Sequence, residues 1–405
     1  MNKSKKFLAI GVIAALGLAA CGSDDDSSSS TDAPAETDAP AETDAPAETD
    51  AMEETDAPTD VAEGGSYVTL DAACEAFDGL EAPDGFRVNL VTDIGKVNDG
   101  TFNQFAFEGM DAAAECFGIE DTSFIETVSE ADYAANIATA LENDPNALVT
   151  VGFLITSDTE EAANANADVD FIGIDQFLDE YPENMVGVVF NEDESGYIAG
   201  VLAASLSESG VVGVVAGRED VPPVVKFVNG YTVGAASVNP DIRVLSIYNE
   251  SFTDIAKGAS DASQFIGEGA DVIFGAGGQT GSGGVAAAAE AGAWGIGVDQ
   301  DEYFTTFASG DAPGSEYLAS SAIKRVDLVT FRLIADSILE QFEGALFVGT
   351  AANDLITYAE AHDADVPAEV TAAVEAARVG LADGSITTGL CGIDGLVLGE
   401  GSACD

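Results

Sequence analysis

From Phe86 onward, short runs of β-branched and aliphatic residues alternate with stretches whose apolar positions recur every three to four residues. The runs predict strands at Phe86–Thr92, Ala147–Leu154, Asp170–Asp175, Met185–Phe190, Val211–Ala216, Arg243–Tyr248, Asp271–Gly275, Trp294–Asp299 and Tyr317–Ile323. Helical spacing is clearest over Thr101–Gly118, where Phe102, Phe105, Ala106, Met110, Ala113 and Phe117 share one face. Further helices are predicted near 130–143, 158–166, 193–207, 224–238, 254–268, 282–291, 325–343 and 367–383. Strand–helix alternation of this regularity reads as an α/β fold, with parallel sheets covered by helices on both faces. The folded part, about 340 residues, exceeds what one sheet of five or six strands holds, so two lobes are expected. Residues 66–190 are assigned to lobe 1, 191–312 to lobe 2, 313–342 to a return into lobe 1, and 343–405 to a C-terminal segment completing lobe 2.

The chain before Phe86 follows a different pattern. Three lysines lie within Asn2–Lys6, and an apolar run of fourteen residues spans Phe7–Ala20. A membrane-spanning helix needs ~20 apolar residues, so residues 1–20 read as a signal peptide. The run ends Leu18-Ala-Ala-Cys21-Gly22, which resembles the bacterial lipoprotein box. That resemblance implies cleavage before Cys21, lipidation of its thiol, and a chain held outside the cytoplasm at the cell membrane. Residues 21–65 then form an acidic tether in which Thr-Asp-Ala-Pro-Ala-Glu starts at Thr31, Thr37 and Thr43. Gly22–Gly65 holds 15 acidic residues and no basic one; a segment so charged and so poor in large apolar groups cannot offset its chain entropy, and disorder is expected.

Charge narrows the partners. The 405 residues carry 13 Lys and Arg against 73 Asp and Glu, a net charge of −60, or −63 once residues 1–20 are removed. Such a field repels phosphate backbones, so no nucleic-acid partner is expected. It fits adaptation to salty water. His362 is the sole histidine, and no two of the five cysteines are spaced as Cys-x-x-Cys; neither a metal site nor a cofactor is expected. With Cys21 lipidated, Cys74, Cys116, Cys391 and Cys404 allow three disulfide pairings, of which Cys74–Cys116 and Cys391–Cys404 are favoured in an oxidising compartment.

One constellation stands out. In Arg87-Val-Asn-Leu-Val-Thr-Asp93-Ile-Gly-Lys96-Val-Asn98-Asp99-Gly-Thr-Phe102-Asn103-Gln104, a buried strand ends on a carboxylate and a glycine loop leads to a helix headed by an aromatic. Ligands of open α/β sheets bind at such carboxyl ends of strands. The plainer alternative is that Asp99 or Thr101 caps the helix and Phe102 packs in the core.

This segment resembles the opening motif of the Bmp (basic membrane protein, or PnrA-like) family, the lipid-anchored substrate-binding proteins of nucleoside ABC transporters. Further stretches match in order: Val151–Leu154, Val221-Pro-Pro223 with Phe227-x-Asn-Gly-Tyr231, Asn239-Pro-Asp241, Ser251-Phe-Thr-Asp254 with Ala256-Lys-Gly258, Gly269–Phe274, Gly297-Val-Asp299 and Lys324–Asp327. Lys96 departs from the family's second glycine, and the chain from about Gly344 resembles the family weakly. The resemblance implies a two-lobed periplasmic-binding-protein type I fold with a ligand cleft between the lobes. It also implies a purine held between two rings, Phe102 and Phe252, with Asp93 and Asn103 at the base or its edge, Asp299 and Lys324 at the ribose, and backbone N–H groups near Gly277 and Gly278 closing round it; Asn98, which can accept and donate hydrogen bonds, is a further ligand-binding candidate from its place in the loop.

Gly277-Gly-Gln-Thr-Gly-Ser-Gly-Gly284 lacks the Gly-Lys-Ser/Thr ending of a phosphate loop, and reads instead as a place where backbone approaches an uncharged ligand. The chain is therefore expected to be a monomeric, lipid-anchored receptor that passes a nucleoside to ABC permease subunits, and not an enzyme. The alternatives are a neutral-sugar receptor and a secreted nucleoside hydrolase.

Overall fold

The computed structural model describes residues 68–399 and 401–405; the signal peptide, Cys21 and the acidic tether lie outside them. The first elements are α1 (Leu70–Ala76), β1 (Arg87–Ile94), α2 (Phe102–Phe117), β2 (Asp121–Thr127), α3 (Tyr133–Leu141) and β3 (Ala147–Val151). They continue through α4 (Thr156–Ala165), β4 (Asp170–Ile174), β5 (Met185–Phe190), α5 (Glu192–Leu206), β6 (Val211–Ala216) and α6 (Pro222–Val238). Next come β7 (Arg243–Tyr248), α7 (Ile255–Gly267), β8 (Val272–Ala276), α8 (Gly278–Glu290), β9 (Trp294–Asp299) and β10 (Leu318–Lys324). The chain ends with α9 (Val326–Ile338), β11 (Ala345–Gly349), β12 (Ile356–Tyr358) and α10 (Ala368–Ala382).

Two six-stranded sheets result, ordered β11-β5-β4-β3-β1-β2 and β12-β10-β9-β8-β6-β7. The first is parallel throughout, and in the second only β12 runs antiparallel, beside β10. β3 and β8 are buried at every position, as expected for central strands covered on both faces. The chain enters the second lobe after Phe190, where α5 follows β5.

Two expectations about the later crossings need correction. Residues 313–342 do not return to lobe 1 as a unit: β10 pairs with β9 in the second sheet, and only α9, packed on α2, belongs with the first lobe. Nor does the whole C-terminal segment complete lobe 2, because β11 pairs with β5 at the edge of the first sheet. Burial alone cannot report which neighbour a parallel strand chooses, and that is where the assignment failed.

Glycines set how α5 meets α6. A Cβ at Gly196 would lie 2.3 Å from the Phe227 carbonyl oxygen, and one at Gly230 would lie 2.1 Å from that of Asp193. The two helices therefore touch backbone to backbone, which brings Lys226 of α6 onto Glu192 at the start of α5. Cys74–Cys116 ties α1 to the end of α2, and Cys391–Cys404 closes a loop after α10; both favoured pairings are present.

Candidate functional site

A cavity opens at the carboxyl ends of β1, β4, β8, β9 and β10, with residues of both lobes in its wall. Counted out into its open mouth, it spans about 650 Å³. Asp93, Phe102, Asn103, Phe252, Gly278, Asp299 and Lys324 all line it. Asn98 does not. It lies exposed on the loop before α2, while its neighbour Asp99 turns inward and lines the wall. Asp99 accepts the backbone N–H groups of Thr101 (2.9 Å), Asn103 (3.2 Å) and Gln104 (3.1 Å), so the capping role falls to it.

The loop geometry explains Asn103 as well. Its Oδ1 accepts the Asp93 N–H at 2.9 Å and its Nδ2 donates to Asp99 at 3.0 Å, joining β1 to α2. Gly95 has φ +144°, and a Cβ there would sit 2.8 Å from Asn103 Nδ2, so a side chain at this position would strain the backbone and push Asn103 aside. Lys96 is exposed. Asp93 Oδ1 accepts from the Tyr133 hydroxyl and from the Ile94 N–H; burial nevertheless pushes its carboxyl up to about 6.

Rings form the walls. Phe102 and Phe252, both half-buried, are joined by Phe153 and Phe227. Phe252 is seated against Gly217, where a Cβ would come within 2.2 Å of its ring. The N-terminus of α8 contributes Gly278 and Gln279 to the lining, after Gly277.

The floor is charged. Only ten Lys and Arg follow residue 20, and two of them, Lys226 and Lys324, are buried at or beneath this cavity. Lys324 Nζ lies 2.8 Å from Asp175 Oδ2, 3.3 Å from Glu192 Oε1 and 3.9 Å from Asp299 Oδ1, and 4.5 Å from the Phe102 ring centre. Burial alone would push its ammonium down, but Asp175, Glu192 and Asp299 hold it above the ordinary lysine range. Glu192 pairs with Lys226 through its other oxygen; burial works against its charge, yet the two lysines keep its carboxyl below the ordinary range. Asp175 Oδ1 is buried with no hydrogen-bond partner. Sequence reasoning missed Asp175, Glu192 and Lys226, although Asp175 does end a predicted strand as Asp93 does.

Burial pushes Asp299 up to about 7; Lys324 opposes this, while Asp175, Asp99 and Glu192 add to it. A carboxyl raised in the fold contributes stability below its unfolded value near ~4 and loses it as pH climbs through the folded value. The melting temperature of the ligand-free protein at fixed high salt is accordingly expected to fall between pH 5 and pH 8, as Asp299 ionises near 7. Asp299→Asn should flatten part of that fall. Calorimetric scans in which the variant and the parent slope alike would contradict this account of Asp299.

Two lobes of parallel sheet with a cavity at their strand ends define a bilobal solute receptor. Residues 86–346 match the family described as ABC transporter substrate-binding protein PnrA-like, the Bmp family. The chain belongs to that family and is an ABC transporter substrate-binding protein. It is 30% identical over 347 residues to the ABC transporter nucleoside-binding protein BmpA of Lactococcus lactis subsp. cremoris, covering 79% of this chain and 95% of that protein. Basic membrane protein D of Borreliella burgdorferi is 31% identical over 266 residues, 64% of this chain and 74% of its own. Among solved structures, an ABC transporter solute-binding protein from Aeropyrum pernix K1 superposes with a TM-score of 0.66 at 23% identity, covering 75% of this chain and 92% of that one. That likeness concerns the fold.

Proposed function

We propose that the chain is a lipid-anchored receptor outside the cytoplasm that binds a purine nucleoside between its lobes and delivers it to an ABC permease. The observation that carries this reading is the meeting of four phenylalanines with Asp175, Asp299 and Lys324 in one cavity. Rings stack on a base at about 1–3 kcal/mol each, and buried carboxylates accept vicinal hydroxyls. Phe102 and Phe252 take the base, Asp93 its edge, and Asp175, Asp299 and Lys324 the ribose. Asn103 holds Asp93 and Asp99 in place. The same carboxylates repel a phosphate, so a nucleoside fits and a nucleotide does not. The name of the Lactococcus relative points the same way. The site is one for binding, not for turnover.

Incubation with guanosine or inosine, gel filtration and chromatography of the released ligand test this. The nucleoside is expected to travel with the protein and to come off unchanged. Release of free base would make the protein a hydrolase, and no retained nucleoside would end the nucleoside reading. Trp294 stands at the opposite end of β9 from Asp299, packed on Tyr317, so fluorescence is the poorer reporter.

Among the described residues no helix is long and apolar enough to cross a membrane. Attachment through Cys21 predicts that Cys21→Ser abolishes labelling by palmitate and leaves the protein unprocessed or released. Labelling that survives the substitution would remove the anchor.

A further inference from the structure

The C-terminal loop lies beyond residues 86–346, which match the family, yet it reaches the floor of the cavity. Cys391–Cys404 closes it. The Gly392 carbonyl accepts from Lys226 Nζ at 3.1 Å, and the Gly395 carbonyl accepts from Asn229 Nδ2 at 2.8 Å, one helical turn further along α6. Gly395 has φ +74° and presses so closely on α6 that a Cβ there would sit 2.7 Å from Lys226 Cγ. Just before the loop, the Thr388 hydroxyl donates to Asp193, the residue after Glu192.

An ammonium has three N–H donors. Lys226 Nζ donates to the Phe190 carbonyl at 2.6 Å and to the Gly392 carbonyl, and forms an ion pair with Glu192 Oε2. Lys324 directs two donors at Asp175 and Glu192, which leaves one for Asp299 or for a ligand. Glu192 thus divides its two oxygens between the lysines. Without the Gly392 carbonyl, a buried Lys226 donor would lack a partner, and such a loss is costly enough to rearrange the pair. Lys226 would then shift, and Glu192 would draw Lys324 away from Asp175 and Asp299.

We propose that the disulfide-closed loop is a strap for the ligand site: by holding Lys226 on Glu192 it leaves Lys324 to the ligand-facing carboxylates, which makes Lys226 and the strap positioning elements for binding. The inference rests on the nucleoside reading for its ligand. The charged groups around Glu192 are Lys226 on α6, Lys324 at the end of β10, Asp175 after β4, Asp299 at the end of β9, and Asp193 beside it on α5; Asp99 faces Asp299 from the loop before α2. A ligand hydroxyl donated to Asp299 favours the ionised carboxylate, so binding should tighten as pH rises through 7. With Lys324 drawn away, the carboxylates lose their cation and the midpoint of that profile moves to higher pH.

The test compares guanosine affinity from pH 5.5 to 8.5 in the parent, in Cys391→Ser/Cys404→Ser, in Gly395→Ala, and in Cys74→Ser/Cys116→Ser, which opens the other disulfide. Opening the strap's disulfide or displacing it at Gly395 is expected to weaken binding by about 3- to 30-fold, the range for residues acting through a packed network, and to raise the pH midpoint. Opening Cys74–Cys116 should change neither. Strap variants that bind with parental affinity and midpoint overturn the proposal, as does an equal loss in the Cys74/Cys116 variant. If the parent binds no guanosine, hydrogen exchange across 221–227 decides separately. Faster exchange there in the strap variants alone supports the strap while the nucleoside reading falls, and unchanged exchange overturns the strap too.

Discussion

Lys324→Met is expected to abolish measurable ligand binding and to lower the melting temperature at pH 7.5. In the parent one buried ammonium faces Asp175, Glu192 and Asp299 within 2.8–3.9 Å. Methionine fills much of the same volume but leaves these carboxylates without that cation. Removing one partner of a buried pair costs about 3–5 kcal/mol, which corresponds here to a fall of roughly 5–10 °C. The sign of the pH dependence is fixed. Asp175, near 6, and Asp299, near 7, already stand above the ordinary carboxylate range, and loss of the cation raises them further. Protonation then relieves the strain, so the difference from the parent should shrink toward pH 5 and widen toward pH 8. A variant with parental melting behaviour and affinity would show that Lys324 does not organise the floor.

The second large effect concerns the rings. Phe102→Ala and Phe252→Ala should each weaken guanosine binding by ~1–3 kcal/mol, about 5- to 150-fold. Both side chains line the cavity and are only half-buried, unlike the buried core ring of Phe274. The losses should grow with base area, purines above pyrimidines, and should leave ribose binding untouched. Isothermal titration with guanosine, uridine and ribose reads all three. Equal losses for every ligand, together with a lowered melting temperature, would return Phe102 and Phe252 to the core.

Much of this was legible along the chain because the elements are locally encoded. The face shared by Phe102, Phe105, Met110 and Phe117 specifies α2 without help from the rest of the fold, and the buried runs of β1, β3 and β8 mark central strands. Other features depend on neighbours that sequence spacing does not reveal. β2 alternates exposed and half-buried positions over Asp121–Thr127, too polar a run to stand out, because it is an edge strand. β11 and β12 are short and each joins a different sheet, so no repeat announces them. Within the site, Asp93, Phe102 and Asn103 fall in one motif, whereas Asp175, Glu192 and Lys226 lie apart along the chain and acquire meaning only when brought within reach of Lys324 and of one another. Asn98 and Asp99 are adjacent in one loop, and such positions carry no periodicity to tell the exposed one from the one that enters the wall.

A calorimetric titration of the ligand-free protein at high salt with guanosine, guanine and ribose separates a nucleoside receptor from a sugar receptor. One guanosine per chain is expected, with guanine and ribose each weaker by at least about tenfold because each forfeits either the carboxylate floor or the ring walls. Ribose or another neutral sugar binding as tightly as guanosine, or guanosine not binding at all, would contradict the nucleoside reading.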